Sequence, residues 1–351
     1  MPPDAVAVAV RRLTSGGSLS REEAAAAFDA VMQGEATSAQ IAALLVGLRV
    51  KGETADEVAG AASALRRAMV ILPAADPASL VDTCGTGGGA LTTFNISTAA
   101  ALLAAGAGAR VAKHGNRSFT SRCGSADVLE ALEVHIDAPV AQAAEVLEQA
   151  GIVFMFAPLM HPAMRHVGPV RRELGVPTVM NMVGPLANPA SAGRQVIGVA
   201  DPERVPLIAG ALQALGSVHA LVVHGEPGLD EVSPLGRTQV LEVRDGATTS
   251  WTIDPASYGY GDLSAAELAG GDPAENARIV LAVLEGRGTA GAEAAVVLNA
   301  AAALYVAAAA SSYEDAVALA RRALASGGGI LALERMRRAY REAAARRSGS
   351  S

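Results

Sequence analysis

A glycine-rich stretch that follows a short apolar run is the first feature of this chain that could do chemistry. It reads Asp82-Thr-Cys-Gly-Thr-Gly-Gly-Gly89 and leads into Phe94-Asn-Ile-Ser-Thr98. This pattern predicts a strand, a turn and a helix start, where several backbone N–H groups can converge on one anion. It matches neither the Gly-x-Gly-x-x-Gly fingerprint nor the P-loop. Because the chain holds 37 glycines, a structural turn followed by a helix cap explains this stretch equally well when it is taken alone.

A second stretch, Lys113-His-Gly-Asn-Arg-Ser118, places a cation and an amide at the end of another apolar run. Charged side chains crowded at one strand end are costly unless they meet water or an anion. A solvated loop with unrelated charges is the alternative interpretation. We do not assign His114 as a general base, because the neighbouring Lys and Arg side chains are expected to lower its pKa. Together the two stretches predict a site for a phosphorylated small molecule, with a pyrophosphorylated one favoured.

Composition limits the partners and the location of the chain. Its 351 residues carry a formal net charge of −7, which argues against general nucleic-acid binding because that function needs clustered Lys and Arg. The two cysteines, Cys84 and Cys123, are too few for a disulfide framework and indicate a reducing cytoplasm. The first residues lack the pattern of a secretory signal. The alanine-rich stretch 294–310, interrupted by Asn299, predicts a buried helix and not a membrane span.

Two regions must position these residues, and the first of them, residues 1–72, reads as helical. Start signals of the Ser/Thr-x-x-Glu type begin at Ser20 and at Thr54. One face of a helix between them is predicted to be apolar, because apolar residues recur there at helical spacing at Ile41, Leu44, Leu45 and Leu48. Such a face needs something to pack against, either within the chain or in a second copy.

The second region, residues 78–345, begins after a proline-rich break at 72–77. Short β-like runs alternate there with helical segments, at 80–83, 110–112, 152–156, 195–199 and 218–224. This alternation favours a mostly parallel sheet covered by helices on both faces. Ligands of such sheets gather at the carboxyl ends of the strands, where the glycine-rich turn is expected. The ending, 346–351, is predicted to be a disordered tail.

The two loop motifs resemble those of the anthranilate phosphoribosyltransferase family, whose loops read Gly-Thr-Gly-Gly-Asp, Asn-Ile-Ser-Thr and Lys-His-Gly-Asn-Arg. Further matches follow in the family's order at His161-Pro-Ala-Met164, Val170-Arg-Arg172, Asn181-Met-Val-Gly-Pro-Leu-Ala-Asn-Pro189 and Gly228-Leu-Asp-Glu231. The resemblance covers nearly the whole chain. Several ordered motifs at the expected separations are far more specific than any one of them.

The resemblance implies transfer of a ribose 5-phosphate unit from 5-phosphoribosyl 1-pyrophosphate (PRPP) to the amine of anthranilate, with release of pyrophosphate. It implies that two loops hold the donor, through Gly85, Thr86, Gly87, Gly88, Gly89, Thr93, Asn95, Ile96, Ser97, Thr98, Lys113, His114, Gly115, Asn116, Arg117, Ser118, Phe119, Thr120, Ser121 and Ser125. Anthranilate would lie against Gly85, Asn116, His161, Met164 and Arg171. A methionine that simply packs against the helical domain is the alternative for Met164.

The resemblance further implies a magnesium site formed by Ser97, Asp230 and Glu231. Adjacent carboxylates suit Mg²⁺, a hard cation that is usually held by one or two carboxylates together with phosphate oxygens and water. Taken alone, an Asp-Glu pair is more often a solvated surface feature. No residue is assigned as a general base, because an aromatic amine is already neutral near pH 7. Lys113 and Arg171 are expected to act by electrostatics and positioning, with Arg171 pairing with the anthranilate carboxylate.

Gly89 is the clearest departure from the family pattern, which has Asp at this position. The missing carboxylate puts the donor affinity and the metal dependence of this chain in question. Two alternatives therefore stay open. A pyrimidine nucleoside phosphorylase would share the two-domain plan, although the full matches at 113–117 and 181–189 argue against it. A protein that binds phosphoribosyl compounds without turnover is the other, and the presence of Lys113, Arg171, Asp230 and Glu231 argues against that.

The expected architecture is a small helical domain, residues 1–72 with a returning segment at about 161–180, and a larger α/β domain at 78–345. The active site is expected in the cleft between them, where closure would exclude water from a hydrolysable donor. The apolar faces of the early helices would be explained by a homodimer, although the same faces could pack internally. No nucleic acid and no membrane are expected among the partners.

Overall fold

The computed structural model describes residues 4–118 and 122–348. Within these ranges the helices are α1 (Ala5–Thr14), α2 (Arg21–Gln33), α3 (Ser38–Lys51), α4 (Ala55–Ala68), α5 (Ile96–Gly106), α6 (Ser125–Ala131), α7 (Val140–Ala150), α8 (Ala157–Met160), α9 (Gly168–Leu174), α10 (Met180–Val183), α11 (Val205–Ala214), α12 (Pro273–Leu284), α13 (Ala290–Val306), α14 (Tyr313–Ala325) and α15 (Gly328–Ser348). The strands are β1 (Val81–Gly85), β2 (Val111–Gly115), β3 (Ile152–Phe156), β4 (Arg194–Gly198), β5 (His219–Gly225), β6 (Thr238–Arg244) and β7 (Ala247–Ile253). Short 3₁₀ segments lie at Pro77–Ser79, Pro162–Arg165, Gly184–Leu186, Pro202–Arg204, Pro255–Tyr258 and Ala265–Leu268.

The amino-terminal region consists of helices α1 to α4, as predicted. Capping boxes begin α2 at Ser20 and α4 at Thr54, and a third, which the sequence analysis missed, begins α3 at Thr37. In each box the side chain at the cap accepts a backbone N–H that the helix leaves unpaired. The apolar face predicted for α3 is buried, because Ile41, Leu44, Leu45 and Leu48 all lie in the core of this region.

The sheet has the strand order β3-β2-β1-β4-β5-β6-β7. Strands β1 to β5 are parallel, which confirms the prediction of a mostly parallel sheet. The order reverses between β1 and β4, and crevices at such reversals are where open α/β sheets bind ligands. Strands β6 and β7 form an antiparallel hairpin that the sequence analysis did not predict.

The two faces of the sheet bury two separate cores. Along β5, Leu221 and Val223 face the core formed with α5, α13, α14 and α15, whereas Ala220 and Val222 face the core shared with α11 and the amino-terminal helices. This alternation follows from the two-residue period of a strand. Helix α13 contains most of the alanine-rich stretch and lies almost wholly inside the first core, which confirms a buried helix there.

The segment 162–174 packs against the helical region, and the returning segment at about 161–180 stays a prediction. Its 3₁₀ turn Pro162–Arg165 packs on α2 and α4, and α9 packs on α3. Ala163, Val167 and Val170 are buried in the same core as the amino-terminal helices. The domain limits at 1–72 and 78–345 stay predictions.

One expectation about the carboxyl end is wrong. Residues 346–348 were expected in a disordered tail, but they form the last turn of α15. The alanine-rich sequence that precedes them favours helix, and Arg346 pairs with Glu145 at 2.9 Å. Residues 349–351 lie outside the described residues.

No single helix in the described ranges is long and apolar enough to cross a membrane. The bent pair Tyr313–Ala325 and Gly328–Arg346, which meet at 70°, reaches that length and composition only when taken together. Cys84 and Cys123 are not joined to each other by a disulfide bond.

Candidate active site

The glycine turn, Gly85–Gly89, lies at the carboxyl end of β1 and rests against Asp230. The Gly87 N–H donates to Asp230 Oδ2 at 2.9 Å. Gly87 and Gly88 have φ angles of +69° and +83°, which side-chain-bearing residues rarely adopt. Several residues of the turn stay exposed, including Gly87 and Gly88. The turn therefore offers backbone groups to solvent at the edge where a ligand is expected.

Gly89, where the family pattern has Asp, lies against Asp230. A Cβ placed on Gly89 would lie 2.9 Å from Asp230 Oδ1 and 3.3 Å from the Gly228 carbonyl oxygen. An aspartate at this position would therefore bring a second carboxylate against Asp230. With glycine, the turn approaches Asp230 closely and this position adds no charge.

Asp230 and Glu231, here called the acidic pair, lie beside the ends of β1 and β4. The Ser97 N–H donates to Glu231 Oε1 at 3.1 Å, which joins the acidic pair to the first turn of α5. Burial raises the pKa of Asp230, and burial together with the neighbouring Asp230 charge raises the pKa of Glu231 to about 8. A cation placed between the two carboxylates would stabilise their ionised forms, which burial disfavours.

The donor set fits Mg²⁺. Ser97, Asp230 and Glu231 supply hard oxygen atoms. Only two of the three are carboxylates, and no group of three or more His, Cys, Asp or Glu residues that could hold a metal ion lies in the described ranges. A site with only two carboxylates suits an ion that keeps water and phosphate oxygens as its remaining ligands. The structure thus brings together the three residues expected to bind magnesium, and their role as ligands stays a prediction.

Lys113 extends from β2 beneath the start of α5 and is almost completely buried. Its Nζ donates to the Thr83 carbonyl and lies 3.3 Å from both Thr83 Oγ1 and Ser97 Oγ. Burial lowers the pKa of Lys113, whereas the Asp82 and Glu231 charges raise it. Lys113 Nζ is thus held by uncharged oxygens beside the acidic pair, and its role in binding an anion stays a prediction.

Other residues of the Asn-Ile-Ser-Thr stretch face away from the acidic pair. Asn95 Oδ1 accepts from Asn276 Nδ2 at 2.9 Å, and Asn95 Nδ2 donates to the Cys123 carbonyl at 3.3 Å. Ile96 and Thr98 are buried in the core beneath the sheet edge. Thr93 forms an isolated bridge with Ala269. Of this stretch, the hydrogen bonds described here bring only Ser97 to the acidic pair.

Arg117 does not offer a free cation to a phosphate in this structure. Its guanidinium donates to Asp127 Oδ1 and to Glu130 Oε1, both at 2.8 Å, and lies 5.5 Å from the centre of the Phe156 ring. Asp127 Oδ2 in turn accepts the Gly124 N–H at 2.8 Å. These contacts shape the loop between β2 and α6.

The other loop residues lie near this network. Ser125 Oγ donates to the Asn116 carbonyl at 3.3 Å, and Asn116 Oδ1 accepts the Arg117 N–H at 2.8 Å. The Ser118 N–H donates to Asp127 Oδ2 at 3.3 Å. The predicted donor-binding residues Phe119, Thr120 and Ser121 lie outside the described residues.

His114 and His161, here called the histidine pair, meet although they are 47 positions apart. Their Nε2 atoms lie 3.1 Å apart, so one ring donates an N–H to the other. Burial lowers the pKa of His114 to about 3, with the His161 and Lys113 charges adding to the effect, and burial lowers that of His161 to about 4. Both rings are therefore neutral at pH 7, which agrees with assigning neither as a strong base.

Arg171 and Met164 lie on the returning segment. Arg171 Nη2 is 3.4 Å from Asn181 Oδ1, and burial lowers the pKa of Arg171. Met164 is half-buried against the core of the helical region. This packing agrees with the alternative interpretation of Met164, and its contact with anthranilate stays a prediction.

Comparison with known proteins matches both regions of the chain. A family model described as "Glycosyl transferase family, a/b domain" matches residues 77–330, and one described as "Glycosyl transferase family, helical bundle domain" matches residues 8–69. The anthranilate phosphoribosyltransferase of Anaeromyxobacter dehalogenans strain 2CP-C is 52% identical over 320 residues, which cover 91% of this chain and 94% of that protein. The chain belongs to the anthranilate phosphoribosyltransferase family.

Other members of the anthranilate phosphoribosyltransferase family extend the match. The enzyme of Herpetosiphon aurantiacus is 49% identical over 329 residues, covering 93% of this chain and 97% of that one. The crystal structure from Thermus thermophilus has a TM-score of 0.89 at 44% identity and covers 96% of this chain and 99% of that one. The Saccharomyces cerevisiae enzyme in complex with PRPP and Mg has a TM-score of 0.85 at 28% identity, and the match covers 96% of this chain and 98% of that one.

The sequence analysis of this anthranilate phosphoribosyltransferase family member gave no role to Asp82, which is buried beside the expected site. Its Oδ1 accepts the His114 N–H at 3.0 Å, and its Oδ2 accepts from Asn188 Nδ2 at 2.8 Å. Burial raises the pKa of Asp82. A carboxylate within the apolar run of β1 was the available signal, since buried charges need specific partners. Asp82 and Asn188 thus hold the backbone of β2 at His114, one member of the histidine pair.

Proposed function

We propose that this chain transfers the 5-phosphoribosyl group from PRPP to the amine of anthranilate and releases pyrophosphate, as a step of tryptophan biosynthesis. The observation that carries the proposal is the meeting of the glycine turn, Ser97, Lys113 and the acidic pair at the carboxyl ends of β1 and β4. Relatives support both substrates, because the Saccharomyces cerevisiae enzyme was solved with PRPP and Mg and also with 4-fluoroanthranilate.

The donor would bind where backbone amides and a buried cation face one edge of the sheet. The exposed glycine turn and the α5 amino terminus would contact phosphate oxygens, and Lys113 would supply a fixed positive charge. Ser97, Asp230 and Glu231 would hold Mg²⁺, whose chemistry when bound is to neutralise charge on the departing pyrophosphate. Because Arg117 is paired with Asp127 and Glu130, we assign it to shaping the loop and not to phosphate binding.

The acceptor would enter from the side of the returning segment. Arg171 would pair with the anthranilate carboxylate and aim the neutral amine at the ribose carbon. The amine forms the new C–N bond as the C–O bond to pyrophosphate breaks, and the leaving group takes that electron pair. The nitrogen then loses one proton, which the released pyrophosphate or water takes up. The neutral histidine pair would border this site without withdrawing a proton in advance. The chain's residues would therefore act by positioning and charge stabilisation.

A fluorescence assay that follows loss of anthranilate tests the reaction directly. We expect turnover only when PRPP and Mg²⁺ are both present. The isosteric double substitution Asp230→Asn with Glu231→Gln should abolish the magnesium-dependent rate while the circular dichroism spectrum stays unchanged. A folded wild-type protein that consumes no anthranilate would contradict the proposal, and phosphorolysis of thymidine or uridine by that protein would favour a nucleoside phosphorylase.

We also propose that the active protein is a homodimer in a reducing cytoplasm, with no nucleic-acid or membrane partner. Val46 and Val50 on α3 and Val8 on α1 are exposed, and this is the surface that we assign to the contact between copies. A chain with only two cysteines has no disulfide framework, which agrees with a reducing compartment.

A further inference from the structure

Asn299 is a polar residue in the middle of α13, a helix otherwise made almost entirely of small apolar residues. The residue is 3% exposed, and α13 packs against α5, α14 and the sheet. A buried amide is costly unless each of its polar atoms has a partner. The reason for an asparagine at this position must therefore lie in what its amide contacts.

The Asn299 amide pairs with both backbone groups of one residue, Val232. The Val232 N–H donates to Asn299 Oδ1 at 2.9 Å, and Asn299 Nδ2 donates to the Val232 carbonyl at 2.8 Å. The second Nδ2 hydrogen bonds to the Ala295 carbonyl at 2.9 Å within α13. Both donors are used, so the orientation of the amide is fixed.

Val232 directly follows the acidic pair, and it is fully buried. In the described hydrogen bonds, its N–H and its carbonyl are matched by Asn299, so removal of the amide would leave two buried backbone groups without these partners. The chain on the other side of the acidic pair is fixed at Leu229, which exchanges backbone hydrogen bonds with Gly225 at 2.9 and 2.6 Å. The acidic pair thus lies between two anchors, one on β5 and one on α13.

We propose that Asn299 is a positioning residue that sets the backbone of the acidic pair for magnesium. The inference rests on the proposed function, because it assumes that Asp230 and Glu231 bind Mg²⁺ together with PRPP. Carboxylate ligands depend on the groups that orient them, and loss of such a group typically weakens metal binding by about 10- to 100-fold. The competing explanation is that Asn299 only stabilises α13.

A matched control exists on the same helix. The Tyr313 hydroxyl donates to the Leu298 carbonyl of α13 at 2.9 Å, in the same buried core. Tyr313→Phe removes one buried hydrogen bond to α13 next to Asn299 and leaves Val232 untouched. Both Asn299→Ala and Tyr313→Phe are expected to lower stability in a urea titration, so stability alone does not separate the two explanations.

The test is isothermal titration of PRPP into the wild type and both variants at a series of Mg²⁺ concentrations. We expect Asn299→Ala to raise the half-saturating Mg²⁺ concentration by about 10-fold or more, with excess Mg²⁺ restoring PRPP binding, and Tyr313→Phe to leave it unchanged. The KM for anthranilate should be unchanged in both variants. The same Mg²⁺ dependence in Asn299→Ala as in Tyr313→Phe would overturn the inference.

Two further outcomes are informative. If Asn299→Ala does not fold by circular dichroism, Asn299→Ser, which keeps a small polar group but loses the amide that pairs with Val232, replaces it with the same expectation. Failure of both to fold would assign Asn299 to fold stability alone and overturn the inference. A wild-type protein that binds no PRPP at any Mg²⁺ concentration would instead refute the proposed function, which is a distinct result.

Discussion

Charge balance around the acidic pair depends on a few individual residues. Lys113 is buried next to two carboxylates whose pKa values are raised by burial, and its own pKa is lowered by burial. Each group therefore lacks part of the solvation that would stabilise its charge. A bound cation would add positive charge beside the acidic pair, and a diphosphate would add negative charge beside Lys113. Binding would therefore restore part of the stabilisation that these groups lose on burial.

Arg171 is expected to determine the use of anthranilate. Arg171→Ala should raise the KM for anthranilate by about 10- to 100-fold, because a charge-assisted hydrogen bond is worth about 1.5–3 kcal/mol. The KM for PRPP should stay unchanged. Arg171→Lys keeps the charge but loses the planar guanidinium, so its KM for anthranilate should lie between those of the wild type and Arg171→Ala. Steady-state kinetics with each substrate varied in turn checks this.

The neighbouring Arg172 provides the control, since it is exposed on the same helix. Arg172→Ala should leave both KM values within about twofold of the wild type. Equal effects of the two alanine variants would show that α9 contributes only general positive charge.

The histidine pair predicts how stability depends on pH. The pKa of His161 is about 4 in the folded protein and about 6.5 in the unfolded chain, so the unfolded chain binds more protons between these values. The stability that comes from this neutral histidine is fully present above about pH 6.5 and is lost as the pH falls towards 4. His161→Gln should therefore be less sensitive to acid, by about 2 kcal/mol between pH 7.5 and pH 5.

Urea titrations of the wild type and His161→Gln at both pH values measure this difference, and taking the difference removes contributions from other titrating groups. His135→Gln, at an exposed position, is the matched histidine substitution for comparison. The same acid sensitivity in His161→Gln as in the wild type would show that His161 is not held neutral.

The position of a site residue could be predicted where its sequence motif lies at the end of a recognisable strand. Ser97 and Lys113 meet because they lie on adjacent elements that lead to one sheet edge, and such edges can be read from the strand pattern. The carboxylate partners of Arg117 could not be inferred, because Asp127 and Glu130 are brought to it only by the turn of the chain into α6. A basic residue in a phosphate-binding motif gives no indication in sequence that it is already paired.

Among the elements, α2 and α4 approach each other closely at Gly60. A Cβ on Gly60 would lie 2.5 Å from the Arg21 carbonyl oxygen and 2.7 Å from Ala24 Cβ. Gly60→Ala should therefore lower the free energy of unfolding by about 1–3 kcal/mol through overpacking, although alanine favours helix. Urea denaturation measures the change.

Gly47→Ala, at the contact of α3 with α1, is the matched glycine substitution. Its Cβ would lie 3.3 Å from Leu13 Cβ, a contact that a small shift relieves. The gain in helix propensity should then offset the contact to within about 1 kcal/mol. A Gly60→Ala protein as stable as Gly47→Ala would mean that α2 and α4 can separate without cost.

The predictability of the elements followed their burial. Strands β1 to β5 were found because both faces of each are covered, which gives short apolar runs between helical segments. The hairpin β6–β7 was missed because its outer strand β7 is largely exposed and carries few apolar residues. Its one strong local signal was Asp245-Gly246, where both residues have positive φ, as a tight two-residue hairpin turn requires.

The whole molecule joins its two regions through polar contacts as well as apolar ones. The histidine pair connects β2 to the returning segment, and Arg66 Nε on α4 donates to the Leu186 carbonyl at 2.7 Å. These contacts lie on the same side of the sheet as the helical region. Movement between the two regions would therefore change the surroundings of the expected acceptor site directly.

The helical region also presents the surface through which two copies are expected to associate. Val8 on α1 is 39% exposed, and Val46 and Val50 on α3 are 38% and 81% exposed. Light scattering coupled to gel filtration should give twice the chain mass of 35.3 kDa for the wild type. Val46→Glu with Val50→Glu should give the mass of one chain, because two carboxylates would be desolvated in each copy on association.

The exposed Ile71 provides the control for this surface, since it is 61% exposed but lies in the break that follows α4. Ile71→Glu should leave the mass unchanged. If Val46→Glu with Val50→Glu still gives the wild-type mass at low micromolar concentration, the α1–α3 surface is not the interface. If that variant is monomeric but keeps full turnover, each copy carries a complete site, and association serves stability, because the residues assigned to both substrates belong to one chain.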